Sequence, residues 1–252
     1  MTQKTILITG AGSGFGKAAA IGMARNGHNI IATCEVSPMV FAMRAEVEEL
    51  GLSDKIRVER LDLHDPYDIK QAQGWDFDIL WNNAGRGEPG PVWEIPVDIV
   101  RRNYENNVFL PLELTQGVVQ RWIREGKSQG KKVVFTSSMG GLFTPANWGT
   151  YVSTKHALEA FAEAMQQELA GYGVKVRLGA APIGGTDLLL DAVADYRLPW
   201  LAGVSVDTRI VHEAARPMRQ ARSISRPARP SISARVTGPG SGASPCSSGR
   251  TS

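Results

Sequence analysis

Short apolar, β-branched runs alternate with longer stretches of helical pattern along the first 180 residues. Residues 5–9 read Thr-Ile-Leu-Ile-Thr and run into glycine, which predicts a buried strand. Residues 150–171 show the other pattern, with Leu158, Phe161 and Met165 on one helical face. The predicted strands are residues 5–9, 29–33, 55–61, 77–81, 131–136 and 174–178. The predicted helices are residues 15–26, 40–50, 65–73, 97–125 and 150–171.

This alternation predicts one α/β domain with a doubly wound parallel sheet. Strands separated by helices imply right-handed βαβ units, so helices cover both faces of the sheet and make three layers. Ligands bind such sheets beyond the carboxyl ends of the strands, where the strand order reverses. Pro111 lies inside the longest predicted helix and predicts a bend there.

Length and composition exclude several classes of protein. The chain has 252 residues, 42% of them hydrophobic, which is enough for one large domain with its own core. Its two cysteines, Cys34 and Cys246, form no C-x-x-C pair and favour a reducing compartment, so we expect a cytoplasmic protein. No apolar run approaches the roughly 18–20 residues that span a bilayer. The first apolar run leads directly into a glycine-rich turn, which favours a strand over a signal peptide.

The strand–helix pattern stops after about residue 200. Residues 216–252 are rich in Arg, Ser, Pro and Gly and contain no Leu, Phe, Tyr or Trp. We therefore predict a domain of residues 1–200 followed by a disordered tail, residues 201–252. Seven arginines and no acidic residue give residues 215–252 a charge of +7, against −4 for the rest. Such a tail could bind nucleic acid or an anionic surface, but a solvated tail without a nucleic-acid partner is the favoured interpretation.

The first turn is the strongest candidate for a binding site. Residues 9–16 read Thr-Gly-Ala-Gly-Ser-Gly-Phe-Gly, after the first predicted strand and at the start of the first predicted helix. Glycines let a backbone approach a pyrophosphate, and the helix start offers free N–H groups. The spacing is T-G-x-x-x-G-x-G, because Phe15 occupies the third glycine of the commoner G-x-G-x-x-G pattern. It predicts dinucleotide binding, with an ordinary tight turn as the alternative.

Together with four further motifs, this loop resembles the short-chain dehydrogenase/reductase family, classical type. Asn-Asn-Ala-Gly at residues 82–85 follows the fourth predicted strand, and Tyr151 and Lys155 form a Y-x-x-x-K motif. Ser138 stands 13 residues before the tyrosine, and Asn107 lies in the long helix where the family keeps an asparagine. The resemblance covers roughly residues 4–190. It implies a Rossmann-like fold and a hydride transfer between a nicotinamide cofactor and a secondary alcohol or ketone.

The resemblance implies the catalytic set Asn107, Ser138, Tyr151 and Lys155, and the chemistry is consistent. Tyr151 and Lys155 are four residues apart on a helix and therefore share a face. A lysine cation nearby favours tyrosinate, so we expect it to lower the tyrosine pKa. Ser138 would donate to the substrate oxygen. In the family the lysine also bonds the cofactor ribose, and the asparagine holds a water in a proton relay.

The resemblance also implies a set of cofactor-binding positions. These are Gly10, Ser13, Gly14, Phe15, Gly16, Glu35, Asp62, Leu63, Asn83, Ala84, Gly85, Tyr151, Lys155, Pro182, Ile183 and Thr186. For Asp62 the alternative is a helix cap. Ile183 replaces the glycine of the family's usual P-G pair, so this turn departs from the pattern.

The choice between NAD and NADP depends on the end of the second strand. NADP-preferring relatives carry arginine near position 35 or a basic residue near position 13, and NAD-preferring relatives carry aspartate near position 34. This chain has Cys34, Glu35 and Ser13, so neither signature is present. Glu35 would repel a 2′-phosphate and accept from a ribose 2′-OH, which favours NAD and leaves NADP as the second choice. Lys17 argues for NADP unless it is a solvated helix residue.

Substrate and assembly are predicted more coarsely. Several apolar residues flank the expected site and suggest an apolar pocket, with ordinary core as the alternative: Met139, Phe143, Trp148, Leu188, Leu189, Leu190, Tyr196 and Trp200. No His, Cys and Asp cluster has metal-ligand spacing, so we expect no metal. In the family the two long helices pack across a two-fold axis, which predicts a homodimer. The alternative function is a catalytically silent, dinucleotide-binding regulatory protein.

Overall fold

The strands form one parallel sheet of six members. The computed structural model describes residues 3–141 and 144–181. The strand order is β3-β2-β1-β4-β5-β6, with every neighbouring pair parallel, which confirms the doubly wound sheet. The strands are β1 Thr5–Ile8, β2 Asn29–Cys34, β3 Ile56–Arg60, β4 Ile79–Asn82, β5 Lys132–Ser138 and β6 Lys175–Ala181.

Helices cover both faces of this sheet. They are α1 Gly14–Arg25, α2 Ser37–Glu49, α3 Pro66–Gly74, α4 Val97–Tyr104, α5 Leu110–Arg124 and α6 Gly149–Glu168. Successive side chains of β1 point to opposite faces. Ile6 and Ile8 therefore pack with Met23 of α1 in one core, whereas Leu7 packs with Leu114 of α5 in the other. The two cores confirm the three-layer arrangement.

The long helix predicted at residues 97–125 is divided. A five-residue π-helical segment, Glu105–Phe109, separates α4 from α5. Pro111 has no N–H to give to the carbonyl four residues before it, that of Asn107, and its ring crowds that carbonyl. The irregularity in this region is the π-helical segment itself, which ends two residues before Pro111. Such π-helical turns occur often at functional sites.

Two strand ends differ from the prediction in a way that positions the site. β5 and β6 pair as far as Ser138 and Ala181, beyond the apolar runs from which their ends at residues 136 and 178 were predicted. Backbone pairing thus fixes Ser138 at the carboxyl edge of the sheet. In the part of the chain that the structure describes, no helix is both long and apolar enough to cross a bilayer.

Several predictions concern residues outside the described ranges. They include the domain boundary near residue 200 and the tail after it. They also include the predicted cofactor contacts Pro182, Ile183 and Thr186, and the apolar candidates Phe143, Leu188, Leu189, Leu190, Tyr196 and Trp200. All of these stay predictions.

Candidate active site

A cavity of about 920 Å³ lies at the carboxyl edge of the sheet. It sits where the chain, after β1, builds β2 and β3 on one side and β4 to β6 on the other, which is where doubly wound sheets bind ligands. Of the predicted site residues, those that line it are Gly10, Ser13, Gly14, Phe15, Glu35, Asp62, Leu63, Asn83, Ala84, Gly85, Ser138, Tyr151 and Lys155.

The glycine-rich turn is tied to the segment after β4. Thr9 accepts hydrogen bonds at its Oγ1 from the backbone N–H groups of Asn83 and Ala84, both at 3.0 Å. Asn83 donates in return from Nδ2 to the Thr9 carbonyl at 3.0 Å. Gly10 has φ +64°, and a Cβ there would lie 2.9 Å from Ala84 Cα. Thr9 and Gly10 of the glycine-rich turn thus pack closely against Asn83 and Ala84 of the Asn-Asn-Ala-Gly motif.

Gly14 and Gly16 differ in the space around them in this turn. A Cβ on Gly14, which has φ +55°, would meet no atom within 4 Å, whereas one on Gly16 would lie 2.5 Å from Asn83 Nδ2. Gly16 therefore serves packing and does not line the cavity. The Ser13 side chain makes no capping hydrogen bond to α1. The helix start beside Gly14 therefore suits a pyrophosphate.

Lys155 and Tyr151 share the inner face of α6, as predicted. Lys155 is only 5% exposed and donates from Nζ to the Thr136 carbonyl at 2.9 Å. Its Nζ lies 5.6 Å from the centre of the Tyr151 ring. Burial disfavours the ammonium form and lowers the pKa of Lys155 to about 8.

The pKa of Tyr151 moves against the expected direction. Burial disfavours tyrosinate and raises the pKa, while a hydrogen bond with Ser138 acts in the opposite sense and is the weaker cause. From the sequence, Lys155 was expected to lower this pKa. The net shift is therefore opposite in sign to the expectation, because the burial of Tyr151 outweighs the hydrogen bond that lowers its pKa.

Asn107 lies near Lys155 but uses its side chain to hold the backbone. Its Oδ1 accepts from the N–H of Arg86 at 2.8 Å, and its Nδ2 donates to the Arg86 carbonyl at 2.6 Å and to Thr154 Oγ1 at 3.1 Å. The residue is 1% exposed and does not line the cavity. Its side chain is therefore committed to fixing the segment after β4.

Asn103, one turn before Asn107, holds the backbone in the same way, with hydrogen bonds to both the N–H and the C=O of one residue. It was not predicted from the sequence. Its Oδ1 accepts from the N–H of Glu88 at 3.1 Å, and its Nδ2 donates to the Glu88 carbonyl at 3.4 Å. The two asparagines thus hold residues 86 and 88 by both backbone groups. A pair of asparagines four residues apart in a helix, where asparagine is a poor helix former, was the available signal.

The held segment forms one wall behind Tyr151. A Cβ on Gly87 would lie 2.9 Å from Tyr151 Cδ2, so the ring packs directly on the Gly87 backbone. Trp148 packs against the Tyr151 ring in a T-shaped arrangement, with 6.1 Å between ring centres. Trp148 lines the cavity, as the predicted apolar pocket requires.

Glu159 supports the end of β5 from α6, one turn beyond Lys155. The Ser137 hydroxyl donates to Glu159 Oε1 at 2.6 Å. The Ser138 Oγ beside it accepts from the Gly140 N–H at 3.1 Å. Nothing in the sequence pattern separates Glu159 from a solvated helix residue, so only the packing of α6 on β5 reveals this contact.

Charged groups at the other end of the cavity are paired. Glu35 accepts from Arg86 Nη2 through both carboxylate oxygens, at 2.9 and 2.7 Å. Lys17 pairs with Glu46 of α2 at 2.9 Å and does not line the cavity, which removes it as an argument for NADP. Arg86 was missed; its only signal was a cation directly after the Asn-Asn-Ala-Gly motif.

Asp62 lies in the cavity wall and is not a helix cap. Its Oδ1 accepts from the His64 N–H at 2.9 Å. The capping of α3 belongs to Asp65, which accepts from the Tyr67 N–H at 3.0 Å. Helix capping, the alternative role considered for Asp62, is therefore performed by Asp65. Among the described residues, no three His, Cys, Asp or Glu side chains are arranged to hold a metal ion.

Comparison with known proteins identifies the family. Residues 4–196 match the family model for short chain dehydrogenases. The chain belongs to the short-chain dehydrogenase family. The chain is 34% identical to the uncharacterized oxidoreductase YusZ of Bacillus subtilis over 183 residues, 71% of this chain and 64% of the relative. The chain thus matches less than two thirds of that relative's length.

Two further proteins, one compared by sequence and one by structure, are similar to parts of this chain. The NADPH-dependent 3-dehydrocapnine reductase of Ornithobacterium rhinotracheale is 42% identical over 104 residues, 40% of this chain and 36% of the relative. A 7α-hydroxysteroid dehydrogenase, solved with NADH and a 7-oxo bile acid, is 28% identical with a TM-score of 0.61. That match covers 70% of this chain and 69% of the other.

Proposed function

We propose that this protein is an oxidoreductase that transfers a hydride between a nicotinamide cofactor and a secondary alcohol or ketone. The observation that carries the proposal is the meeting of Ser138, Tyr151 and Lys155 in the same cavity as the glycine-rich turn. The cofactor supplies the hydride when bound. A catalytically silent regulator would not need this constellation, which argues against the alternative.

Tyr151 is the proposed acid in ketone reduction and the base in alcohol oxidation. Its raised pKa keeps the hydroxyl protonated at neutral pH, as an acid requires. Ser138, which lines the same cavity, would donate to the same substrate oxygen and stabilise charge that develops there. Lys155 would hydrogen-bond the cofactor ribose and support Tyr151 electrostatically.

Asn107 completes the proposed catalytic set, with a role narrower than the sequence resemblance implied. Its side chain is engaged with Arg86 and Thr154, so it would contact a relay water through its main-chain carbonyl. Pro111 cannot donate to that carbonyl, which leaves it suited to such a contact.

We propose NAD as the preferred cofactor and NADP as the second. The cavity fits a dinucleotide because its wall passes from the Gly14 turn through Glu35 and Asp62 to Tyr151. Glu35 directly follows β2, where an acidic residue accepts from the ribose 2′-OH of NAD. Pro182, Ile183 and Thr186 are proposed to hold the nicotinamide end. One relative above uses NADPH and another was solved with NADH, so the family accommodates both.

An apolar ketone is the proposed substrate class. Trp148 beside Tyr151 gives the cavity an apolar wall, and one structural relative was solved with a 7-oxo bile acid.

We also propose a cytoplasmic homodimer. Phe109 and Phe161 are 51% and 42% exposed on the two elements that the family packs across a two-fold axis.

The test is a screen of secondary alcohols and ketones with NAD(H) and NADP(H), followed by absorbance of the reduced nicotinamide. Turnover that Tyr151→Phe abolishes would support the proposal. Dinucleotide binding without turnover on any member of the panel would favour the regulatory alternative.

A further inference from the structure

We propose that Arg86 is a specificity-determining residue that binds the 2′-phosphate of NADP. The inference rests on the proposed function, since it concerns the cofactor of that site. It gives a function to the ion pair between Arg86 and Glu35, which the catalytic chemistry does not use.

The ion pair crosses the cofactor cleft. In the sheet, β1 lies between β2 and β4; Glu35 follows β2, and Arg86 follows the Asn-Asn-Ala-Gly motif after β4. The bond between them therefore spans the carboxyl end of β1, where the glycine-rich turn begins. Both residues line the cavity together with Gly10 and Ser13.

Contact with Glu35 places the guanidinium at the 2′ end of the adenosine ribose. The acidic residue at the end of β2 is the one that meets the 2′-OH in dinucleotide-binding folds, and a nearby arginine accommodates a 2′-phosphate. Arg86 Nη2 lies 2.7 and 2.9 Å from the two Glu35 oxygens. A group bonded so closely to Glu35 is within reach of whatever Glu35 contacts.

Arg86 is able to exchange Glu35 for a phosphate. The Arg86 and Glu35 side chains are 62% and 45% exposed, and exposed ion pairs are weak. The guanidinium has five N–H donors in a fork that matches phosphate, and only its Nη2 is bonded to Glu35. Its backbone is held by Asn107 at both N–H and C=O, so the side chain turns about a fixed point.

The neighbouring cations are committed elsewhere. Among the described residues that line the cavity, Arg86 and Lys155 are the only Lys or Arg, and Lys155 is buried at the catalytic end. Lys17 pairs with Glu46, and Arg60, at the end of β3, pairs with Asp65 and Asp68. A 2′-phosphate near Glu35 would therefore meet Arg86 first.

The two residues then set cofactor preference by competition. Glu35 alone would repel a 2′-phosphate, but with Arg86 beside it the pair is neutral, and NADP binds where an isolated carboxylate would exclude it. NAD has no 2′-phosphate, so Glu35 stays available to its ribose. The pair would thus allow one site to take either cofactor.

The experiment measures binding directly, by quenching of tryptophan fluorescence or by calorimetry, with NAD and NADP. We expect Arg86→Gln to weaken the binding of NADP by about tenfold or more, the scale of a lost charge-assisted pair, and to change the affinity for NAD less than about threefold. Arg86→Lys keeps the charge but not the forked guanidinium, so its affinity for NADP should lie between those of the parent and Arg86→Gln. Glu35→Gln, which releases Arg86, should strengthen NADP.

Nicotinamide-free probes separate this inference from the proposed function. Adenosine 2′,5′-bisphosphate and AMP differ in the 2′-phosphate, and neither takes part in turnover. If Arg86→Gln loses affinity for the bisphosphate but not for AMP, the assignment is supported even if no substrate is found. Equal weakening of both probes would place Arg86 at the common phosphate and overturn the assignment, as would unchanged affinity for both.

Discussion

The buried ammonium of Lys155 donates to the main-chain carbonyl of Thr136, 2.9 Å away at the end of β5. This bond ties α6 to β5, the strand that carries Ser138. It also holds the lysine where burial lowers its pKa to about 8, so the charge that we propose supports Tyr151 would be lost at mildly alkaline pH.

We therefore expect ketone reduction to fall as pH rises through about 8. Below that value Lys155 is charged and Tyr151, with its raised pKa, keeps its proton; above it the lysine becomes neutral first. The measurement is kcat/KM for reduction across this range. In Lys155→Arg the side chain stays charged across this range. The decrease in kcat/KM above about pH 8 should therefore be absent from this variant, even if its rate is lower than that of the parent. A parent profile that stays flat from about pH 7 to about 9.5 would contradict the assignment.

Tyr151→Phe should lower turnover at least about a hundredfold, the usual scale of a general acid. The change removes one hydroxyl and little volume, so the ring should still pack against Gly87. Cofactor affinity, measured by fluorescence, serves as the control and should hold within about threefold. A variant that retains activity within tenfold of the parent would rule out Tyr151 as the acid.

Gly10→Ala should cost more affinity for cofactor and more stability than Gly14→Ala. Both glycines have positive φ, but only at Gly10 would the new Cβ meet a backbone atom, Ala84 Cα at 2.9 Å. Gly14→Ala carries the conformational cost alone, about 1 kcal/mol. Urea unfolding and cofactor titration of the two variants give the comparison. Equal losses would show that the fit of the two motifs is unimportant.

Glu159→Ala should lower kcat while leaving cofactor affinity unchanged. The variant loses the acceptor for Ser137 at the end of β5, and loosening of the adjacent Ser138 costs rate rather than binding. Glu159→Gln keeps an acceptor oxygen and should recover most of the rate. If the glutamine variant is as slow as the alanine variant, the negative charge matters and positioning does not.

Phe161→Glu should dissociate the proposed dimer. Phe161 is exposed on α6, and a charge there would be buried by a two-fold contact between such helices. Phe41→Glu is the matched control, since Phe41 is 66% exposed on α2, away from that face. Light scattering should then report a monomer for the first variant and a dimer for the second. An unchanged dimer in both cases would exclude this face as the interface.

Much of the site was predictable because its motifs are local. The spacing of Tyr151 and Lys155 fixes their shared face on α6, and the glycines at residues 10–16 fix a turn whose geometry hardly depends on the rest of the chain. The fold was predictable for a similar reason, since alternating strands and helices have few ways to pack.

The features that were missed depend on pairing between distant segments. Arg86 and Glu35 meet only because β4 and β2 flank the same strand. Lys155 reaches Thr136 only because α6 packs on β5. The burial of Tyr151 reverses the pKa shift that was expected for it. The side chain of Asn107, expected at a water, is occupied by the Arg86 backbone, which no spacing in the sequence indicates.

Three consecutive residues after β4 each face a different neighbour. A Cβ on Gly85 would meet Asn107 and Lys155, the Arg86 side chain meets Glu35, and Gly87 packs on the Tyr151 ring. A one-residue insertion or deletion here would exchange arginine and glycine positions, forcing a long side chain against the tyrosine or removing the cation from the cleft. This tripeptide should therefore tolerate changes of side chain at position 86 but no change of length, so variation in cofactor preference would arise here by substitution alone.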